Sequence, residues 1–125
     1  MAVTYDLFGD RVFQLLGKAM DVYALRHEVT ANNIANANTP GFKRSYVPFE
    51  SELRELLEEG KGSLDDLEPE VRVDEMTQAR EDGNNVDMEQ ETAEMVKNSL
   101  RYSAAGSVLR TRFSMYRYVI SEGKR

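Results

Sequence analysis

Two short stretches carry residue types that could bind a metal ion. His27-Glu28 begins like the zinc helix His-Glu-x-x-His, in which two histidines one turn apart hold the metal. Position 31, however, is alanine, and His27 is the single histidine of the chain. Residues 82–87, DGNNVD, have the start of a calcium loop, but Val86 stands where an oxygen ligand is needed. We therefore expect neither a metal site nor a cofactor.

Residue types for covalent or acid–base catalysis are also poorly placed. The chain has no cysteine, which excludes a thiol nucleophile and a disulfide framework. It has no glycine-rich phosphate loop, and its many carboxylates lie in a polar stretch where nothing would raise their pKa. The sequence therefore predicts a protein that is not an enzyme.

The most unusual local chemistry is a set of asparagines in ANNIANANTPGF, residues 31–42. Asn33 and Asn36 are three residues apart and share one flank of a helix. An amide both donates and accepts, so such a row could hydrogen-bond to other helices and fix their register. The alternative is that these residues only fray and cap a helix end, and the residue types leave both interpretations open.

Long helices are predicted at both ends of the chain. Apolar residues recur at alternating steps of three and four over residues 6–37 and again over residues 87–121, which is the pattern of helices that pack on other helices. Asp87 is a suitable N-cap for the second helix. Pro40 and Gly41 occupy the two central positions of a predicted type II turn after the first helix.

The middle of the chain differs from both ends. Residues 50–83 hold thirteen acidic and four basic side chains, whereas residues 96–125 hold seven basic and one acidic. A short helix is predicted from Phe49 to Glu58, and EVRVDEM, residues 70–76, is predicted as a short strand or an extended segment. Few large apolar residues lie here, so we expect partial disorder in an isolated chain.

These patterns predict a mainly α fold. Two long terminal helices pair as an α-helical hairpin or coiled coil, and an acidic, largely irregular middle contains the short helix and the strand-like segment. We divide the chain into residues 1–41, the N-terminal core helix and turn; 42–85, the variable middle; and 86–125, the C-terminal core helix. The apolar faces of the terminal helices are too broad to bury on each other alone, so other chains are expected to complete their packing.

The stretch ANNIANANTPGFKR resembles the signature of the rod and hook axial proteins of the bacterial flagellum, an Asn-x-x-Asn-x-x-Thr-x-Gly-Phe pattern. Here it falls on Asn33, Asn36, Thr39, Gly41 and Phe42, with Ile34 inside it. DGNNVDMEQETAEMVKNSLRYSA and RFSMYRYVISEG are similar to the C-terminal region of a proximal rod member. The stretch DGNNVDMEQE favours that member over its sibling FlgC.

The resemblance implies a structural part of the flagellar basal body. Family members are made in the cytoplasm, leave through the flagellar type III export apparatus and assemble helically as the periplasmic rod, which transmits torque. The start of this sequence shows no cleavable secretory signal, which agrees with such a route. The implied partners are further copies of the chain, the rod proteins FlgC, FlgF and FlgG, FliE with the MS ring, and the export gate. Nucleic acid is not expected as a partner, because the chain is acidic overall with a net charge of −6.

The resemblance also assigns assembly residues. Asn33 and Asn36 are expected to set register, and Thr39 to Phe42 to turn the chain out of the helical core. The predicted seam of the C-terminal helix consists of Met88, Met95, Tyr102, Leu109, Phe113, Tyr116 and Ile120. The residues expected to face it are Val12, Leu15, Leu16, Ala19 and Tyr23. A cytosolic helical adaptor or chaperone that binds amphipathic helices remains an alternative, because it would have the same exposed seams.

Overall fold

The computed structural model describes residues 10–60 and 62–123. Its elements are helix α1 (Asp10–Ala35), strand β1 (Ser45–Tyr46), helix α2 (Glu50–Glu59), a 3-10 helix (Leu64–Asp66), strand β2 (Arg72–Val73) and helix α3 (Met88–Gly123). The mainly α prediction is confirmed, with two long helices and a small two-stranded sheet. The predicted start of the first helix at residues 6–9 lies outside the described residues.

Helices α1 and α3 form an antiparallel hairpin. Phe13 and Phe113 have ring centroids 5.0 Å apart, a Cβ on Gly106 would lie 3.7 Å from the Met20 methyl, and Asn98 Nδ2 donates to the Tyr23 carbonyl at 2.6 Å. Residues later in α1 therefore contact residues earlier in α3, as expected for antiparallel helices. The 36 residues of α3 make a helix of about 54 Å.

Local sequence signals explain how these helices begin and end. Asp87 caps α3, because its Oδ1 accepts the backbone N–H groups of Glu89 and Gln90. Gly41 has φ of 76°, and the Phe42 N–H donates to the Thr39 carbonyl at 3.2 Å. This geometry confirms the predicted turn, and a side chain at position 41 would strain it.

The side of α1 that faces away from α3 packs on the middle of the chain. Val22, Val47 and Phe49 form the buried cluster, and partly buried side chains surround it: Leu15, Ala19, Tyr23, Leu25, Val29, Leu53 and Leu67. The short helix α2 begins one residue later than predicted. Of the two predictions for EVRVDEM, a strand or an extended segment, the structure shows a strand, β2. The middle therefore completes the core of α1, while its mobility stays a prediction.

Strands β1 and β2 pair antiparallel, with Ser45 opposite Val73 and Tyr46 opposite Arg72. Hydrogen bonding continues one residue beyond the ladder, where the Asp74 N–H donates to the Arg44 carbonyl at 2.8 Å. This short sheet holds the ends of the middle segment together beside α1. Within the described residues, no helix is both long enough and apolar enough to cross a membrane.

Truncating the buried cluster should destabilise the protein measurably. Val22 is 0% exposed, so Val22→Ala leaves a cavity and is expected to lower the free energy of unfolding by about 1 to 3 kcal/mol. Val96→Ala is the matched control, because Val96 is 56% exposed and should change stability by less than about 0.5 kcal/mol. Urea unfolding followed by circular dichroism measures both variants. Equal effects would contradict the position of the core.

Candidate functional site

The side-chain amide of Asn33 joins three parts of the chain. Asn33 is 0% exposed, and its Oδ1 accepts the Ser45 N–H at 2.9 Å while its Nδ2 donates to the Ser45 carbonyl at 2.8 Å. The same Nδ2 lies 3.1 Å from Glu91 Oε2 on α3. The amide thus pairs with β1 as a neighbouring strand would, and links α1 to α3.

Glu91 is a carboxylate buried at the start of α3. It is 1% exposed, and Arg44 Nε donates to its Oε1 at 2.5 Å. A second ion pair joins Arg44 Nη1 to Asp74 Oδ2 at 3.1 Å. Burial works in the opposite direction, but hydrogen bonds to Glu91 and Asp74 raise the pKa of Arg44 above its ordinary value. A single guanidinium thus pairs with two buried carboxylates, which gives each of them a charged hydrogen-bond partner away from water.

Asp74 anchors the turn after β2. Its carboxylate accepts the Thr77 hydroxyl at 2.6 Å and the backbone N–H groups of Thr77 and Met76 at 3.0 and 2.9 Å. These hydrogen bonds, those from Thr77 first, and the Arg44 guanidinium hold the pKa of Asp74 well below its ordinary value. The ionised form of Asp74 is therefore part of the folded structure.

The DGNNVD stretch covers the carboxyl end of α1, whose last turn has no basic residue. Asn84 is fully buried, and its Nδ2 donates to the carbonyls of Asn36 and Thr39, both at 2.9 Å. Arg80 donates to the Ala37 carbonyl at 2.6 Å. These donors bind carbonyl groups of the turns that directly follow α1, and they hold those turns against residues 80–84.

The ANNIANANTPGF and DGNNVD stretches also contact each other through backbone atoms. The Gly41 N–H donates to the Asp82 carbonyl at 2.8 Å, and a Cβ on Gly83 would lie 3.2 Å from Gly41 Cα. Asn85 inserts its amide beside the sheet, because its Oδ1 accepts the Arg44 N–H at 2.7 Å and its Nδ2 donates to the Asp74 carbonyl at 2.8 Å. We call this contact region, residues 33–45 with 74–91, the asparagine junction.

The structure places the predicted asparagines in different settings. Asn33 makes the hydrogen bonds described above inside the chain, whereas Asn36 is half-buried, donates to the Asn32 carbonyl at 2.8 Å and accepts the Thr39 hydroxyl at 3.2 Å. Ile34 and Phe42 are half-buried, and Gly41 is exposed in the turn. Asn36 thus completes a helix end. Contacts of these residues with other subunits stay a prediction.

The predicted seam residues are only partly covered. Phe113 and Tyr116 contact Phe13, while Leu15, Ala19 and Tyr23 lie around the Val22 cluster. Val12, Leu16, Met95 and Leu109 are half-buried. Five seam residues of α3 are between 43% and 53% exposed: Met88, Tyr102, Phe113, Tyr116 and Ile120. Their role in assembly also stays a prediction.

The sequence analysis did not predict several residues of the asparagine junction as site residues. No pattern distinguished Glu91 and Arg44 from the other charged residues, and Asn84 and Asn85 were considered only as part of an incomplete calcium loop and of the family resemblance. The sequence did contain one signal for a further role, the pair Asn84-Asn85 directly after Gly83, because a turn does not require two adjacent amide side chains. Their partners Asn36, Thr39 and Arg44 lie 41 to 48 residues away, so the local sequence pattern could not identify them. In the described part of the chain, no group of three or more potential ligands is placed to hold a metal ion.

Fold and junction together define the class of protein, a mainly helical protein whose antiparallel hairpin is fixed at one end by buried polar contacts. A family model described as Flagella basal body rod protein matches residues 16–43, which include the first half of the junction. The FlgB basal body rod protein of Borrelia hermsii is 34% identical over 125 residues, covering 85% of this chain and 93% of that protein.

Other relatives carry the same name. The FlgB protein of Yersinia enterocolitica is 30% identical over 91% of this chain and 96% of its own length. The FlgB protein of Escherichia coli K12 is 30% identical over 80% of this chain and 86% of its own length. The chain belongs to the family of flagellar basal body rod proteins, among which its similarity is to FlgB. Its role is therefore structural, in the rod of the flagellar basal body.

The junction predicts that the two asparagines differ sharply in their contribution to stability. Asn33→Ala leaves the half-buried Ser45 N–H and carbonyl without their side-chain partner and removes a donor from the buried Glu91, so it should lower the free energy of unfolding by about 2 to 3 kcal/mol. Asn36→Ala removes solvent-exposed hydrogen bonds at a helix end and should lower it by about 1 kcal/mol or less. Chemical denaturation of both variants measures the difference, and a larger loss for Asn36→Ala would refute the assignment.

The lowered pKa of Asp74 predicts a loss of stability in acid. The folded chain binds fewer protons at this carboxyl than the unfolded chain, so the stabilisation is present above the ordinary aspartate pKa of about 4. It should be lost as the pH falls through that value towards the folded-state pKa. Unfolding free energies measured from pH 7 downward should fall less steeply for Asp74→Asn and, in part, for Thr77→Val. Identical slopes in all three proteins would contradict this role.

Proposed function

We propose that this chain is a subunit of the proximal rod. The chain is exported by the flagellar type III apparatus and assembles helically through its terminal helices, and the assembled rod transmits torque. One observation carries the proposal beyond family membership. The last three turns of α3 expose apolar side chains on several sides of the helix, and we call this exposed length of α3 the apolar strip. Its residues are Phe113, Met115, Tyr116, Tyr118, Val119 and Ile120, each between 46% and 68% exposed.

A strip of this kind suits burial against neighbouring subunits. Exposed contiguous apolar surface on a small protein commonly marks an interaction site. The strip lies on the same helix that the junction fixes at its other end, so its direction relative to the rest of the chain is set. In this proposal residues 1–41 and 86–125 form the rod core, and residues 42–85 form the outer, variable part.

The proposed partners follow from the same assembly. Copies of the chain and the rod proteins FlgC, FlgF and FlgG would share the helical lattice, with FliE and the MS ring at its base. The export gate would handle the chain before assembly. Heterologous contacts between such subunits repeat without closing, which produces a helical array.

The experiment is a deletion of the gene, complemented by variants and examined by electron microscopy of the cell envelope. Val119→Asp/Ile120→Asp should leave membrane rings without a rod, because carboxylates in a buried subunit contact are costly. The matched control is Met76→Asp, since Met76 is 94% exposed and lies outside the strip; it should restore the rod.

Normal flagella in the deletion strain would overturn the rod role. Full rescue by Val119→Asp/Ile120→Asp would instead refute the strip as an assembly surface. Circular dichroism of each purified variant shows that loss of the rod does not come from loss of folding.

A further inference from the structure

Helix α1 is the central layer of the molecule. Phe13 and Met20, seven residues apart, face α3, whereas Leu15 and Val22, also seven apart, face the middle segment. Val22 follows Met20 by two residues, which is about 200° of rotation around a helix. Helix α3 and the segment containing α2 and the 3-10 helix therefore lie on different sides of α1.

The outer surface of that segment is acidic. Glu55, Glu58, Glu59 and Asp65 are exposed, and none of them forms an ion pair within the described part of the chain. Leu57 is 54% exposed on the same short helix. This surface, which we call the acidic layer, combines unneutralised carboxylates with an apolar side chain.

One side of α3 is basic. From Asn98 to Ser121 the helix has no acidic residue, and Arg110 and Arg117, seven residues apart, share one side of it. Arg101 lies on another side, where it lines a pocket together with Glu50. Arg110 and Arg117 are exposed, and their neighbours Tyr116 and Tyr118 are 46% and 68% exposed. This side of α3, which we call the basic face, therefore carries the charge that complements the acidic layer, and like the acidic layer it has exposed apolar side chains.

We propose that the acidic layer of one copy docks on the basic face of the next copy. The acidic layer of one copy attracts the basic face of the next copy, and this attraction favours one relative position of the two copies. Packing of two acidic or two basic surfaces against each other is disfavoured. The two contacting surfaces differ, so the contact repeats from copy to copy without closing. This inference rests on the proposed function, because it names the surfaces through which copies meet in the rod.

The experiment uses charge reversal in the full chain, expressed in the deletion strain. Glu58→Lys/Glu59→Lys and Arg110→Glu/Arg117→Glu should each reduce the number of basal bodies with a rod at least about tenfold, because like charges then face each other. The chain that carries all four reversals should recover, since its acidic and basic surfaces have exchanged signs. Glu75→Lys/Glu81→Lys is the control with the same change in net charge at exposed positions outside the acidic layer.

The outcomes separate this inference from the proposed function. Rescue by the wild-type chain tests the rod role by itself, and its failure would overturn that role. Wild-type rescue together with full rescue by both double reversals would overturn the docking surfaces alone. Failure of the fourfold reversal, with folding intact by circular dichroism, would also overturn the inference and assign the charges to a different partner. An equal loss in the control would show an effect of net charge only.

Discussion

The folded chain depends on neutralising one carboxylate, that of Glu91. An ionised group at 1% exposure destabilises a protein unless it is paired and hydrogen-bonded. Arg44 and Asn33 supply those partners, and each brings its own segment: Asn33 the end of α1, and Arg44 the start of β1 and the turn at Asp74. Three regions that are distant in sequence are thereby held at the first turn of α3.

The rest of the asparagine junction follows from the sharp reversal that this arrangement requires. The chain leaves α1 beside the segment that enters α3, so backbone groups of both must find partners without water. Asn84 and Asn85 provide them: their Nδ2 groups donate to the carbonyls of residues 36, 39 and 74, and the Asn85 Oδ1 accepts the Arg44 N–H. Side-chain amides suit this task because they donate and accept at once, without adding charge.

The two ends of the hairpin are consequently different. At the junction, polar groups are buried and paired within the chain, and a small sheet adds to the order. At the other end, the apolar strip of α3 remains exposed over its last three turns. A subunit with one end locked and one end available for packing fits a rod, in which each copy must be rigid and still bind its neighbours.

The sequence by itself determined the two long helices, the turn at Pro40-Gly41 and the N-cap at Asp87, because each depends on residues within a few positions of one another. It also drew attention to Asn33 and Asn36 without distinguishing them. Only the tertiary structure decided that Asn33 is enclosed and bonded across 58 residues to Glu91, whereas Asn36 completes a helix end. Those partners are selected by the close approach of α1, β1 and α3, which no local spacing encodes.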